Sequence, residues 1–242
     1  MKYLIGIDIG TSGTKSVLFD LEGNVIASEL VEYPLYQPQN GWAEQDPEDW
    51  WQAVVKSLKA ITPAAENGEI CGIGLSGQMH GLVMLDGDGE VIRNSIIWCD
   101  GRTVAECEEI EEIIGHEKVV DITANPALPG FTASKIMWVK KHEPENYAKC
   151  AKILLPKDYI RYKLTGEYAR GWRYDQVTSS YGLVHVTVYN ETKPQLTHLL
   201  EFGHELRRGG RKVGDVKAFS HILSRRNLAE KLLMKKIEEQ LK

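Results

Sequence analysis

Residues 5–15 read Ile5-Gly6-Ile7-Asp8-Ile9-Gly10-Thr11-Ser12-Gly13-Thr14-Lys15. The apolar, β-branched run from Tyr3 to Ile9 suits a buried strand, and one carboxylate, Asp8, interrupts it near its end. On a buried strand such a charge has to be paired or hold a cation. Gly10 and Gly13 then free the backbone to curl, with three hydroxyls and the Lys15 ammonium close by. Successive N–H groups in a turn of this kind make a concave anion site. Asp8 beside it is placed to carry Mg²⁺, the usual partner of substrate phosphates. Val17-Leu18-Phe19-Asp20 follows as a second strand.

Two familiar phosphate loops are excluded by spacing. No Gly-Lys-Ser/Thr follows four spacers, and Gly6, Gly10 and Gly13 do not fit Gly-x-Gly-x-x-Gly. Strand, Asp, Gly-Thr-x-Gly turn and second strand resemble instead the phosphate hairpin of the actin-like ATPase fold. An ordinary glycine-rich hairpin is the alternative, but it requires neither Asp8 nor Lys15.

Working outward, Glu22-Gly23-Asn24 is a turn signal and Val25 to Tyr33 resumes an extended pattern, so a three-stranded meander is expected. Asp46 and Pro47 mark a helix N-cap and first position, and Trp50, Val54, Leu58 and Ile61 recur at helical spacing behind them. Ile70 to Leu75 is a short strand ending in Ser76-Gly77-Gln78-Met79-His80-Gly81. Leu82 to Leu85 and Val91 to Trp98 read as further strands, joined by the turn Asp86-Gly87-Asp88-Gly89. Helices are expected after Thr103, ending at Gly115, and from Thr132 to about His142; a short strand from Ile153 and a helix closed by Gly166 follow. This order is α/β. Polar or glycine residues break the pattern at strand ends at Asp8–Lys15, Gln78–Gly81 and Asp100–Arg102, where ligands of open α/β sheets bind.

Composition narrows the function classes. With 43% hydrophobic and 26% charged residues the chain reads as soluble and globular, and no apolar run reaches membrane-spanning length. Its start does not read as a signal peptide, and Cys71, Cys99, Cys107 and Cys150 lack Cys-x-x-Cys spacing, which suits reduced thiols and a cytoplasmic setting. The net charge of −5 conceals an asymmetry: Arg170 onward carries 14 Lys+Arg against 8 Asp+Glu, leaving 15 of the 29 basic and 26 of the 34 acidic residues before it. Such a break marks a domain boundary or a join of unrelated pieces.

Six ordered motifs carry a closer likeness: the 6–15 run, Trp42-Ala-Glu-Gln-Asp-Pro47, Ser76-Gly-Gln-Met-His-Gly81, Trp98-Cys-Asp-Gly-Arg102, Pro129-Gly-Phe-Thr132 and Leu155-Pro-Lys-Asp-Tyr159. Together they resemble the N-terminal domain of the xylulokinases, in the FGGY carbohydrate kinase family, over residues 1 to about 168. The resemblance implies an RNase H-like, actin-like ATPase domain, the N-terminal half of a sugar kinase. It implies ATP-dependent phosphorylation of D-xylulose at its 5-hydroxyl, with Mg²⁺ as cofactor. Asp8 would hold Mg²⁺ in the phosphoryl region. Gly10, Thr11, Ser12, Gly13 and Thr14 would cradle phosphate, with Lys15 nearby. Gln78, Met79 and His80 would line the sugar pocket, with Asp100 and Arg102 at its edge. Each has a structural alternative: Met79 as core filler, His80 as a satisfied turn histidine, Asp100 with Arg102 as an internal ion pair.

The pattern stops after Gly166. Complete members add a second domain bearing the adenine site and a Gly-Gly-x-x-Asp-Asn-type segment whose Asp is the general base, and no such segment stands in this sequence. Residues 171–242 read as a small α+β module. Within it, Val188 to His204, Gly209-Gly210 and His221-Ile222 resemble a tailed-phage head–tail joining protein family. That resemblance implies ring self-assembly as the competing function. Neither reading calls for a membrane, and the basic loop Arg207–Lys212 is read as a solvated charge run rather than a nucleic-acid contact.

Overall fold

The alternation of apolar residues along the first strand sets the architecture. A computed structural model describes residues 1–168; the 171–242 module lies outside the described residues. In chain order the elements are β1 (Lys2–Ile9), β2 (Gly13–Asp20), β3 (Val25–Glu32), β4 (Glu44–Gln45), α1 (Pro47–Ile61), β5 (Glu69–Gly77), β6 (Val83–Leu85), β7 (Ser95–Ile96), α2 (Val104–Ile114), α3 (His116–Thr123), α4 (Thr132–His142), α5 (Pro144–Lys149), β8 (Lys152–Leu154) and α6 (Pro156–Thr165). The expected meander forms, and β5 joins it to give a sheet ordered β3-β2-β1-β5, with β1 antiparallel to β2 and parallel to β5.

Successive strand residues point to opposite faces. Tyr3, Ile5, Ile7 and Ile9 of β1 are buried with Leu18 of β2, on the face where α1 brings Trp50, Ala53, Val54 and Ile61. Asp46 caps α1 by accepting from the Glu48 N–H, and Pro47 occupies its first turn, as the sequence predicts. Helix α6 packs beside α1 and against β5. The opposite face carries Leu4, Gly6 and Asp8 of β1 in register with Phe19, Val17 and Lys15 of β2. Asp8 is therefore exposed, and the expectation of a carboxylate on a buried strand is corrected. The period-two pleat turns its side chain outward even though its neighbours Ile7 and Ile9 are core residues.

A second core lies around the short strand pairs β4–β7 and β6–β8, where Leu82, Met84, Ile96, Trp138 and Val139 cluster. The strand expected over Val91–Trp98 shrinks to Ser95–Ile96. Val91 keeps only an isolated bridge to Leu85, and Arg93 within that stretch forms ion pairs with Glu44 and Glu143. The described residues divide into two units, Met1–Glu109 with Ala127–Glu167, and a second that holds Ile110–Pro126. In the described part of the second, Gly115 adopts φ +90° and separates α2 from α3, a helix the sequence pattern did not signal. No described helix is long and apolar enough to cross a membrane.

Candidate functional site

Strands β1 and β5 run parallel and end side by side, with Ile9 opposite Gly77. Two loops therefore leave the sheet at one place: the Gly10–Ser12 turn after β1 and the Gln78–Gly81 turn after β5. This is where ligands of α/β sheets bind, beyond the carboxyl ends of the strands.

The Gly10–Ser12 turn is closed by the Gly10 N–H donating to the Gly13 carbonyl at 3.0 Å. Gly13 has to lack a side chain, since a Cβ there would stand 2.8 Å from the Val31 carbonyl oxygen. Asp8 and Lys15 are cross-strand partners at the base of the hairpin, both exposed. Opposite charges placed so are mutually favourable. Among the described residues no group of three His, Cys, Asp or Glu is arranged to hold a metal. A single carboxylate suits Mg²⁺, which keeps its waters and takes its other ligands from substrate phosphate.

Beneath the turn lies a set of buried amides. Gln45 Nε2 donates to the Thr11 carbonyl at 2.7 Å, and Gln45 Oε1 accepts from Trp50 Nε1 at 3.2 Å and from Gln78 Nε2 at 2.7 Å. The Tyr33 hydroxyl donates to the Gly10 carbonyl, which Gln78 Nε2 also approaches at 3.4 Å. Burial pushes the Tyr33 phenol up to about 12, which keeps that donor protonated. From the outer side, Trp98 Nε1 donates to Thr11 Oγ1 at 2.9 Å.

The second loop is held as firmly. His80 adopts φ +57°, a left-handed conformation costly for a residue with a side chain. Its carbonyl is gripped by Lys135 Nζ at 2.9 Å and Thr132 Oγ1 at 3.2 Å, and its ring lies edge-on to Phe131 with centroids 4.6 Å apart. Lys135 is buried, and desolvation draws its ammonium down to about 7. Next to it, a Cβ on Gly81 would stand 2.6 Å from Pro156. Met79 and His80 are both half-buried, so Met79 is not simply filling the core.

Asp100 and Arg102 are committed to the protein itself. The Asp100 carboxylate, 2% exposed, accepts from the Ala43 N–H at 2.6 Å and from the Arg102 guanidinium. Arg102 also pairs with Glu44 at 2.8 Å and lies over the Trp42 ring at 3.7 Å. These contacts match the internal ion pair, the alternative to a place on the pocket edge. Gln45, Tyr33 and Lys135 were not singled out from sequence. Gln45 stands inside a quoted motif but reads there as the lead-in to a helix cap.

Known proteins bear on this geometry. The model of the FGGY family of carbohydrate kinases, N-terminal domain, matches residues 3–173. The xylulose kinase of Bacillus subtilis is 48% identical over 168 residues, covering 69% of this chain and 34% of that protein. The xylulose kinase of Staphylococcus xylosus is 42% identical over 201 residues, covering 83% and 41%. The solved xylulose kinase of Rhodospirillum rubrum superimposes with a TM-score of 0.66 at 33% identity, over 68% of this chain and 35% of that one. The chain thus spans between a third and about two fifths of the length of these relatives. None of these relatives is an assembly protein, and the residues of the phage-like resemblance lie outside the described ones. The matched model covers well over half of the sequence, and the chain belongs to the FGGY family of carbohydrate kinases.

Proposed function

We propose that this chain supplies the sugar-facing and phosphate-facing half of a xylulose kinase, which transfers the terminal phosphoryl group of ATP to the 5-hydroxyl of D-xylulose. The observation that carries the reading is the adjacency of the two loops: Gln78 opens the Gln-Met-His-Gly loop and hydrogen-bonds the network under the Gly10–Ser12 turn. A sugar on the one loop then lies next to a phosphate on the other.

In phosphoryl transfer a protein contributes chiefly positioning and charge stabilisation. The turn from Gly10 to Thr14 offers backbone N–H groups and hydroxyls to the phosphate, and Lys15 adds a positive charge. Asp8 would hold Mg²⁺, which neutralises phosphate charge when bound. Met79 and His80 contact the ketose, and Gln78, its amide turned inward onto Gln45, holds the start of their loop. Asp100 and Arg102 act below the pocket by fixing the backbone at Ala43. The base that takes the sugar hydroxyl proton is not assigned to any residue of this chain. A positioned base contributes roughly 10²–10⁴-fold in rate. These two loops are expected to bind D-xylulose.

The test is calorimetric titration with D-xylulose, alongside an ADP-release assay with ATP and Mg²⁺. Heat that disappears in His80→Ala but persists in Asp8→Ala supports the reading, as does any xylulose-dependent ADP release that Asp8→Ala abolishes. Absence of D-xylulose binding to the parent chain, or binding indifferent to His80→Ala, overturns it.

A further inference from the structure

We infer that Gln45 is a positioning residue, one that aims the N–H groups of the Gly10–Ser12 turn at phosphate and ties that turn to the sugar loop. The inference rests on the kinase reading for its ligands, though not for its geometry.

A trans peptide is planar, so the carbonyl of one residue and the N–H of the next point in opposite directions. The Thr11 carbonyl is drawn inward by Gln45 Nε2, a side chain with no exposed surface, so the Ser12 N–H points outward. Tyr33 and Gln78 draw in the Gly10 carbonyl, so the Thr11 N–H points outward too. Two consecutive N–H groups aimed to one side are the elements of an anion nest. Internal hydrogen bonds that hold the turn in this shape lower the ordering cost of binding.

The orientation of the Gln45 amide is fixed by chemistry. The Trp50 indole N–H can only donate, so the Gln45 atom it meets has to be the oxygen. The remaining atom is then the NH₂ that faces the Thr11 carbonyl, and Gln78 has to present its own NH₂ to Gln45 Oε1. One amide therefore joins helix α1, the phosphate turn and the sugar loop. A displacement of Gln78 is felt at Thr11 through a single side chain, and the reverse holds as well.

The experiment compares the parent chain with Gln45→Leu, Gln45→Glu and a control, Ser57→Ala. The control removes a buried hydroxyl that bonds Ser16, about two turns beyond Trp50 on the same sheet-facing side of α1. Gln45→Glu keeps the acceptor for Trp50 and Gln78 and, when ionised, sets an oxygen against the Thr11 carbonyl at the cost of a buried charge, so its exchange is read above the pH at which the carboxyl ionises and at matched stability. Amide hydrogen exchange at Gly10, whose N–H closes the turn onto the Gly13 carbonyl, is measured in ligand-free protein, with melting temperature as the index of general damage. Exchange faster by about 5- to 10-fold in the Gln45 variants, and unchanged in Ser57→Ala after correction for stability, is the expected result. Titrations with Mg-ATP and with D-xylulose then read the coupling. Gln45→Leu weakens both, while Gln45→Glu weakens Mg-ATP more than D-xylulose. Exchange in the Gln45 variants that merely follows their melting temperature, as in the control, overturns the inference. A parent chain that binds neither ligand defeats the kinase reading instead, and the exchange comparison still decides the role of Gln45.

Discussion

Asp8 and Asp100 are the same side chain in opposite situations. Asp8 is exposed on an open sheet face beside Lys15, whereas Asp100 is enclosed and answered by Arg102 and the Ala43 N–H. Removing one partner of a buried pair strands the other and costs roughly 3–5 kcal/mol, while exposed sites away from such features stay within about 0.5 kcal/mol. Asp100→Ala is therefore expected to lose most of the chain's stability in urea unfolding, and Asp8→Ala almost none; equal losses would contradict the assignment of the two roles. Lys135 makes a second residue-scale case. Burial lowers its ammonium to about 7, below the ordinary value of 10.5. The folded chain thus sheds this proton before the unfolded chain does, so the contribution of Lys135 to stability rises with pH between about 7 and 10.5 and is smallest below 7. The other groups facing it are Asp100, Cys99, Cys107 and Arg102. Melting temperatures of parent and Lys135→Met, taken from pH 6.5 to 9.5, are expected to diverge as pH rises. A constant gap would show that Lys135 stays charged in the fold.

At the scale of elements, legibility followed the reach of the interactions. The β1–β2–β3 meander, α1 with its Asp46 cap, and α6 with Gly166 at φ +71° are governed by pleat, periodicity and local capping, and each forms where the sequence places it. Strands β6, β7 and β8 fall within or beside stretches that the sequence marks as strand, and β4 does not, but the pairing of all four is set by partners 50 or more positions away, such as Glu44 with Ile96 and Val83 with Leu154. No local pattern announces such pairs. The same distinction runs through the site. The Gly10–Ser12 turn and the Met79–His80 loop stand out by residue type. Gln45 and Lys135 do not, because their importance lies in which distant carbonyl each reaches, Thr11 in one case and His80 in the other. The burial attributed to Asp8 erred by one step of the pleat, since an apolar run does not say which of its alternate positions face a partner layer.

At the scale of the whole molecule, the sheet is covered on one side only among the described residues. Leu4 is 43% exposed and Leu30 57% exposed, on the face that also bears Val17 and Phe19. Exposed contiguous apolar surface of this kind marks a place where another layer docks or where chains associate. Adjacent positions on β1 give a direct check of the asymmetry. Leu4→Lys replaces a side chain that already meets water, and is expected to shift stability by no more than about 0.5 kcal/mol. Ile5→Ala empties a position that is 3% exposed under α1, and is expected to cost about 2–5 kcal/mol. Binding of an apolar fluorescent dye should change in the opposite order: Leu4→Lys with Leu30→Lys lowers it by breaking up the open face, while Ile5→Ala raises it by loosening the core. If Leu4→Lys proved as damaging as Ile5→Ala, the face would already be covered in the folded chain, and the dye would then find no site in the parent protein. The two measurements thus constrain each other, and together they determine whether this half of a kinase presents its second sheet face to solvent.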